Sequence, residues 1–471
     1  MQKIQQVYID GAFVNPHGTE IFELISPVTN EKTGEVVLGD EADVALAVAA
    51  AKRALPLFSK TTKEERIQYL HQLQAAVNAR KEELVQVMVE EYGGTLQFSR
   101  MSVQNGIDAF SNMIETLQHF EFEKTVGKSK VRLESLGIAG IITPWNASNS
   151  FICNKLAAAV AAGCTTVIKP SEMSARQTQL LAECLHKAGL PNGVINIVNG
   201  LGNVVGNAIT THKDVAKISF TGSTAVGKSI AKGAVDTMKR VTLELGGKSP
   251  NIILDDAELP AAIMQAVFGV GMNSGQACIA PTRLLVPASK LDEVNALAKA
   301  AAAQVKVGLP NNAETNIGPL VSEKQYDRVQ GYIKLGKDEG AILLAGGEGK
   351  PAGLEKGNFV KLTIFTNVRN DMRIAQEEIF GPVLSIIPYK DEADAIAIAN
   401  DTTYGLAAYI SSGDVKHAER VAAQINAGRV CINQFVHDPQ APFGGFKQSG
   451  IGREYGVYGL EAYLEPKAIL Q

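Results

Sequence analysis

From Ile138 to Leu245 the chain repeats one pattern: a short apolar run, a turn, a helical stretch with apolar residues three and four apart, and another apolar run. The runs Ile138 to Ile142, Thr165 to Ile168, Val194 to Val198, Ala216 to Phe220 and Val241 to Leu245 read as strands. Residues 149–163, 173–188, 203–211 and 224–236 read as the helices between them. Strands joined through helices pair in parallel, because the helix supplies the crossover that parallel neighbours need. None of these strands alternates with polar residues, so helices cover both faces. A doubly wound sheet follows, with ligands expected at the carboxyl ends of its strands.

A second alternating set predicts a second α/β unit. It comprises helix 259–272, strand 282–287, helices near 290–306 and 323–340, strands near 383–388 and 429–433, and helices 391–400 and 415–427. Ahead of both units, residues 1–40 read as short strands broken at Asp10-Gly11 and Asn15-Pro16-His17-Gly18. Helical patterns occupy 41–57, 62–80, 81–92 and 96–120. Glu121 to Lys130 is a polar interruption before the strand-like Val131 to Ser135, and the apolar end of 458–471 fits a subunit edge. A chain of 471 residues is too long for one core, which implies two or three domains.

The charge balance excludes several partners. A formal net charge of −4 over this length gives no basic surface for nucleic acid or an anionic membrane. No apolar run approaches the roughly 20 residues of a membrane span, and the first residues lack a signal-peptide core. The seven histidines are scattered singly, with no zinc-ligand spacing to cysteine, so no metal site is expected. Five widely spaced cysteines read as free thiols in a reducing compartment, the cytoplasm.

One cysteine stands apart. Asn273-Ser274-Gly275-Gln276-Ala277-Cys278 puts a thiol in a turn between an apolar helix and an apolar strand, where it can be a buried structural thiol or serve as a nucleophile. Thr143-Pro144-Trp145-Asn146 follows a strand, and the Asn146 amide can donate to a developing oxyanion or close an Asx turn. Lys169-Pro170-Ser171-Glu172 can bracket a ribose or form a surface ion pair. Glu244-Leu245-Gly246-Gly247-Lys248 places an acid at a strand end, as a general base or a turn cap.

Two motifs point elsewhere. Gly222-Ser223-Thr224-Ala225-Val226-Gly227-Lys228-Ser229 satisfies the phosphate-loop pattern, the signature of a P-loop-like nucleotide hydrolase. Its physical content is anion binding at a helix N-terminus, which serves a dinucleotide pyrophosphate equally well. Gly200 to Gly206 nearly matches the dinucleotide fingerprint, but its last glycine comes one residue late.

Together with Glu378-Ile379-Phe380-Gly381-Pro382 and Pro442-Phe443-Gly444-Gly445, these stretches occur in an order that resembles the aldehyde dehydrogenase superfamily over essentially the whole chain. The resemblance implies two doubly wound, Rossmann-like α/β domains plus a small β oligomerisation flap. The cofactor-binding domain would comprise 1–116 and 136–246, the catalytic domain 247–446, and the bridging segment 117–135 and 458–471. It implies a hydrolytic, non-CoA-acylating enzyme that oxidises an aldehyde to the free acid, with a succinate-semialdehyde type as the alternative. Cys278 would attack the aldehyde, Asn146 would hold the oxyanion, Glu244 would activate water, and Lys169 completes the catalytic set. NAD, with NADP tolerated, would be bound by Trp145, Lys169, Ser171, Glu172, Gly202, Phe220, Thr221, Gly222, Ser223, Gly227, Leu245, Gly246, Glu378 and Phe380. A homodimer or homotetramer is implied. Candidate residues for the aldehyde pocket are Asn105, Phe110, Met113 and Ile114, with Ala277, Ile279 and Gln434 to His437.

Overall fold

The computed structural model describes residues 2–470. Its largest sheet has eight strands, and the five that run parallel are the five read from the sequence. In spatial order they are Arg240–Glu244, Val215–Thr221, Ile138–Ile142, Thr165–Lys169 and Ile195–Ile197. Antiparallel strands close both edges: Gly450–Ile451 beside Arg240–Glu244, and Val7–Ile9 with Ala12–Val14 beyond Ile195–Ile197. The segment 203–211, read as one helix, opens with a wide π turn over Gly202–Gly206 and becomes α-helical only at Asn207–Thr211.

The second sheet has seven strands, six of them parallel. Thr363–Thr366 and Ala407–Ser411 are strands that periodicity missed, because runs of four or five residues are too short to show a period. Asp255 follows strand Pro250–Ile253, and the next helix begins only at Leu259. Only five residues separate Glu244, the end of a strand in the first sheet, from Pro250, the start of a strand in the second. That short crossing draws together the carboxyl ends of the first sheet and the amino ends of the second.

Helix Leu96–His119 lies on this framework and packs against helix Ser148–Ala161. Its N-cap Thr95 accepts from the Phe98 N–H. Gly106 lets the two backbones approach, since a Cβ there would stand 3.4 Å from Ser150 Cα. Phe110, Met113 and Ile114 are buried in the main core, each contributing about 1.5–3 kcal/mol of burial. These three are therefore packing residues, and Asn105 faces solvent. The polar stretch Glu121 to Lys130 is in fact half of a hairpin: Glu123–Val126 pairs with Ser129–Ser135, which pairs in turn with Leu464–Ile469. Strand Glu123–Val126 is exposed along its whole length. Gln471, the last residue of the expected bridging segment, lies outside the described residues.

Candidate active site

The turn before Cys278 is held in an unusual conformation. After helix Leu259–Gly271, three successive residues are left-handed: Asn273 at φ 52°, Ser274 at φ 55° and Gly275 at φ 72°. For Asn273 and Ser274 this costs on the order of 1–2 kcal/mol each. A buried polar network offsets that cost. Asn273 Nδ2 donates to Asn146 O at 3.2 Å and to Gln276 O at 2.9 Å, while its Oδ1 accepts from Tyr92 Oη at 2.8 Å. Gln276 Nε2 donates to Tyr92 Oη at 3.0 Å, Gln276 Oε1 accepts from the Val321 N–H at 3.0 Å, and Ser274 Oγ donates to Gly318 O at 3.1 Å.

Gly275 has no alternative residue. A Cβ there would lie 2.1 Å from Gly381 C, on a backbone already at positive φ. Gly275→Ala is expected to cost on the order of 3 kcal/mol or more, combining overpacking with backbone strain, read as a lowered midpoint in denaturant unfolding. A midpoint within experimental error of the parent would show that the turn can relax.

Cys278, Asn146 and Glu244 come together in one cavity of about 330 Å³. Asn146 is 7% exposed and donates from Nδ2 to Gln276 O at 2.9 Å, which uses one of its two N–H bonds and leaves the other. Glu244 is 3% exposed, and among the described residues neither carboxyl oxygen has a hydrogen-bond partner. Burial, then the neighbouring Glu454, hold its pKa well above the ordinary carboxylate value, and Lys155 and Arg453 act in the opposite direction. Burial, then Glu378 and Glu244, push the Cys278 thiol up to about 12, against the pull of Arg429. Gly247 must be glycine here because a Cβ would meet Cys278 O at 2.4 Å.

Behind Glu244 lies a charged cluster that no local motif announces. Lys155 on helix Ser148–Ala161 forms a buried ion pair with Glu454, and Ser219 Oγ donates to the same carboxylate at 3.2 Å. Asn154 Nδ2 donates to Glu454 at 3.4 Å. Glu454 is 299 residues from its lysine, so only the fold unites them.

The cavity continues past Trp145, whose ring meets Phe380 edge-on at 5.5 Å. Phe380 sits at φ 63°, which turns it into the cavity wall. Thr221, Gly222, Ser223, Leu245, Gly246 and Glu378 also line it. Glu378 accepts from the Gly247 N–H at 3.0 Å and is raised by burial to about 6. Ser223 caps helix Thr224–Val235, accepting from the Val226 N–H. Thr143 Oγ1, Asn199 Oδ1 and Thr221 Oγ1, just beyond or at parallel-strand carboxyl ends, are buried without partners among the described residues. Orphaned acceptors and donors of this kind mark a surface shaped for a polar ligand.

Other residues named from the sequence lie elsewhere. Lys169 ends strand Thr165–Lys169 and pairs with Glu172 at 3.0 Å; it does not line the cavity with Cys278, so the catalytic place expected for it has no support in the geometry. Ser171 Oγ accepts from the Met173 N–H. Gly202 opens the π turn, with open space where a Cβ would be, and Gly206 of that turn faces Lys169. Phe220 lies beneath Gly222, and Gly227 admits Leu245 to the helix face. Lys228 donates to Gln448 Oε1 at 2.9 Å on the surface, not into a phosphate loop. Arg283, which opens strand Arg283–Pro287 and was not singled out above, donates to Lys248 O, Asn370, Ile398 O and Ala399 O.

Known proteins share this fold. The family model described as Aldehyde dehydrogenase family matches residues 13–469. The 3-succinoylsemialdehyde-pyridine dehydrogenase of a Pseudomonas species is 46% identical over 472 residues, spanning 100% of this chain and 99% of its own. Aldehyde dehydrogenase C of Pseudomonas syringae, solved as a cysteine-to-alanine mutant with NAD+ and octanal, superposes with a TM-score of 0.97 at 44% identity, covering 99% of this chain and 96% of that one. An aldehyde dehydrogenase of Mycobacterium tuberculosis complexed with NAD+ gives a TM-score of 0.97 at 40% identity, covering 100% and 98%. The match runs the length of the chain, so the protein belongs to the aldehyde dehydrogenase family.

Proposed function

We propose that this protein oxidises an aldehyde to the free carboxylic acid through a thioester on Cys278, with NAD as hydride acceptor. The observation that carries the proposal is the meeting of a thiol, a spare amide N–H and an unpartnered carboxyl group in one cavity. Cys278 Sγ attacks the aldehyde carbon, and its proton passes to Glu244, whose raised pKa lets it hold one. The former carbonyl oxygen becomes an oxyanion, stabilised by the free N–H of Asn146 and the backbone N–H of Cys278. Bound NAD would supply the hydride acceptor that converts the thiohemiacetal to a thioester. Glu244 releases that first proton to solvent and, ionised again, takes a proton from water as the water attacks the thioester; the carbon–sulfur bond breaks, the acid leaves and the thiolate is restored. Because Glu244 supplies a base for water, the acyl group has no need of a thiol acceptor such as coenzyme A.

The cofactor fits the residues on the far side of Cys278. Lys169 and Glu172 would take the adenosine ribose, with Ser171 and Gly202 nearby. Ser223 and the N-terminus of helix Thr224–Val235 would take the pyrophosphate over Phe220, Thr221, Gly222 and Gly227. Trp145, Leu245, Gly246, Glu378 and Phe380 would frame the nicotinamide and its ribose. Glu172 repels a 2′-phosphate while Lys169 accommodates one, which favours NAD over NADP. We assign 1–116 and 136–246 to the cofactor unit, 247–446 to the catalytic unit, and 117–135 with 458–471 to contacts between copies. Exposed strand Glu123–Val126, with edge groups free to pair, suits a homodimer or homotetramer. Free cysteines at all five positions fit the cytoplasm.

A second cavity suits an apolar part of the substrate. A cavity of about 290 Å³ on the other side of the Asn273 turn is walled by Phe98, Met101, Phe268, Met272 and Phe435. None of Phe98, Met101, Phe268 and Met272 was singled out from the sequence, because contacts between distant helices leave no local pattern. An aldehyde panel run with NAD and with NADP, followed by absorbance of the reduced cofactor, tests the proposal; a good substrate should turn over at roughly 10 s⁻¹. Absence of reduction with every aldehyde would overturn it. Asn146→Ala should lower kcat by about 10²–10³-fold with a smaller change in KM, and an unchanged kcat would remove Asn146 from the oxyanion site.

A further inference from the structure

The cavity on the far side of the Asn273 turn owes its shape to one contact between a ring and a helix. Phe435 stands in the loop after strand Arg429–Ile432. That loop begins at Asn433, whose φ of 58° is left-handed, a conformation asparagine tolerates better than most residues. Asn433 Nδ2 donates to Ser412 O and its Oδ1 accepts from the Ser412 N–H, both at 2.9 Å. From this anchored turn Phe435 reaches helix Leu259–Gly271 at Gly269. A Cβ on Gly269 would lie 2.1 Å from Phe435 Cε2 and 2.8 Å from its Cζ. The atoms nearest to such a Cβ all belong to Phe435.

The backbone does not ask for a glycine there. Gly269 lies inside a helix and has no positive φ, and a glycine within a helix weakens it relative to alanine. Its missing side chain is what lets the ring lie flush on the helix. The same ring packs edge-on against Tyr409 at 4.6 Å, and the Tyr409 hydroxyl donates to Ile279 O at 2.8 Å. Ile279 follows Cys278 directly and packs, like Phe435, on the cluster that holds Tyr409. Phe435 therefore belongs both to the packing beside the nucleophile and to the wall of the cavity. Phe98, Phe268 and Met272 line the same space of about 290 Å³.

We propose that Phe435, seated on Gly269, is a specificity-determining residue that narrows the aldehyde site to straight chains and flat rings and turns away branched or puckered ones. The assignment rests on the reading that Cys278 attacks an aldehyde carbonyl and that the apolar part of the substrate occupies this cavity. A ring wedged between a helix backbone and a second ring cannot swing aside for a bulkier substrate, and overfilling a packed site is costly. Gly269→Ala acts on the same contact from behind. With Tyr409 already against the ring, the added methyl pushes Phe435 into the cavity and shrinks it for every aldehyde.

The test compares matched pairs on the purified full-length protein with NAD: hexanal against its isomer 3,3-dimethylbutanal, and benzaldehyde against cyclohexanecarbaldehyde. The parent should favour the straight or flat member of at least one pair by about 10-fold or more in kcat/KM, the scale on which an apolar pocket separates substrates by shape. In Phe435→Ala that ratio should fall about 10-fold, mainly through a lower KM for the bulkier member, while KM for NAD stays within about 2-fold of the parent's. Gly269→Ala should raise KM about 10-fold for all the aldehydes. In the double variant that rise should vanish, because the ring it displaced is gone. Should Gly269→Ala fail to fold, the parent and Phe435→Ala still decide. Equal kcat/KM within both pairs, a ratio unchanged in Phe435→Ala, or a Gly269→Ala penalty that persists in full in the double variant overturns the assignment and leaves aldehyde oxidation standing. A parent that reduces NAD with no aldehyde overturns both.

Discussion

Replacing Cys278 with alanine should lower kcat/KM for aldehyde oxidation by about 10⁴-fold or more. Covalent catalysis fails as a unit when its nucleophile is removed, because the amide and the base then have no tetrahedral adduct to act on. Cys278 is the only cysteine lining the cavity, and the four others are buried in cores. Its side chain carries none of the hydrogen bonds that hold the preceding turn; those belong to Asn273, Ser274 and Gln276. The variant should therefore unfold at nearly the parent's Tm and still bind NAD, measured by calorimetry. A variant that kept more than a few per cent of the parent's NADH formation would show that hydride leaves an adduct other than a thiohemiacetal.

Glu244→Gln should lower steady-state kcat by about 10²–10⁴-fold, the range set by losing a general base. If the amide slows thioester hydrolysis more than its formation, rapid mixing should show a burst of NADH near one equivalent per active site, followed by a slow phase. Loss of the burst together with the steady-state rate would instead assign Glu244 to the first proton transfer from the thiol. No change in either phase would remove it from the chemistry.

The same carboxyl group links activity and stability to pH. In the fold its pKa lies well above its unfolded value, mainly because it is buried. Stabilisation from its protonated form is therefore complete below the unfolded value and is lost as pH rises through the folded value. Glu244→Gln carries no such loss, so its Tm advantage over the parent should be larger at pH 9 than at pH 5, by about 1–3 °C. Catalysis runs the other way. Glu244 must be ionised to take a proton, and the Cys278 thiol, pushed up to about 12, must lose one. Parent kcat/KM should therefore rise between pH 6 and pH 9, and a profile falling over that interval would contradict these roles. Burying an ionisable carboxyl at the reaction centre thus costs folding stability at the pH where it is most useful.

Several features could be read before any coordinates. The strands Ile138–Ile142 and Val215–Thr221 show themselves as continuous apolar runs, because a strand covered on both faces has no polar side to alternate with. Cys278, Asn146 and Glu244 each stand beside turn formers at an element's end, a pattern carried within four or five residues. Strand Glu123–Val126 could not be read in the same way. Its side chains are charged and exposed, and its reason to be extended is main-chain pairing with a strand beyond the turn.

What the sequence by itself determined was therefore the two parallel sheets and much of the order of their elements, together with Cys278, Asn146 and Glu244 as the candidates proposed here for nucleophile, amide and acid. These rest on local periodicity and on short motifs. Only the tertiary structure decided the rest: that Lys155 meets Glu454 behind Glu244, that Tyr92 braces the left-handed turn, and that Phe110, Met113 and Ile114 fill the core. The physical reason is that burial and pairing depend on contacts across hundreds of residues. Whether a charge is neutralised, and whether an aromatic ring fills a core or lines a cavity, is set by which distant surface closes over it.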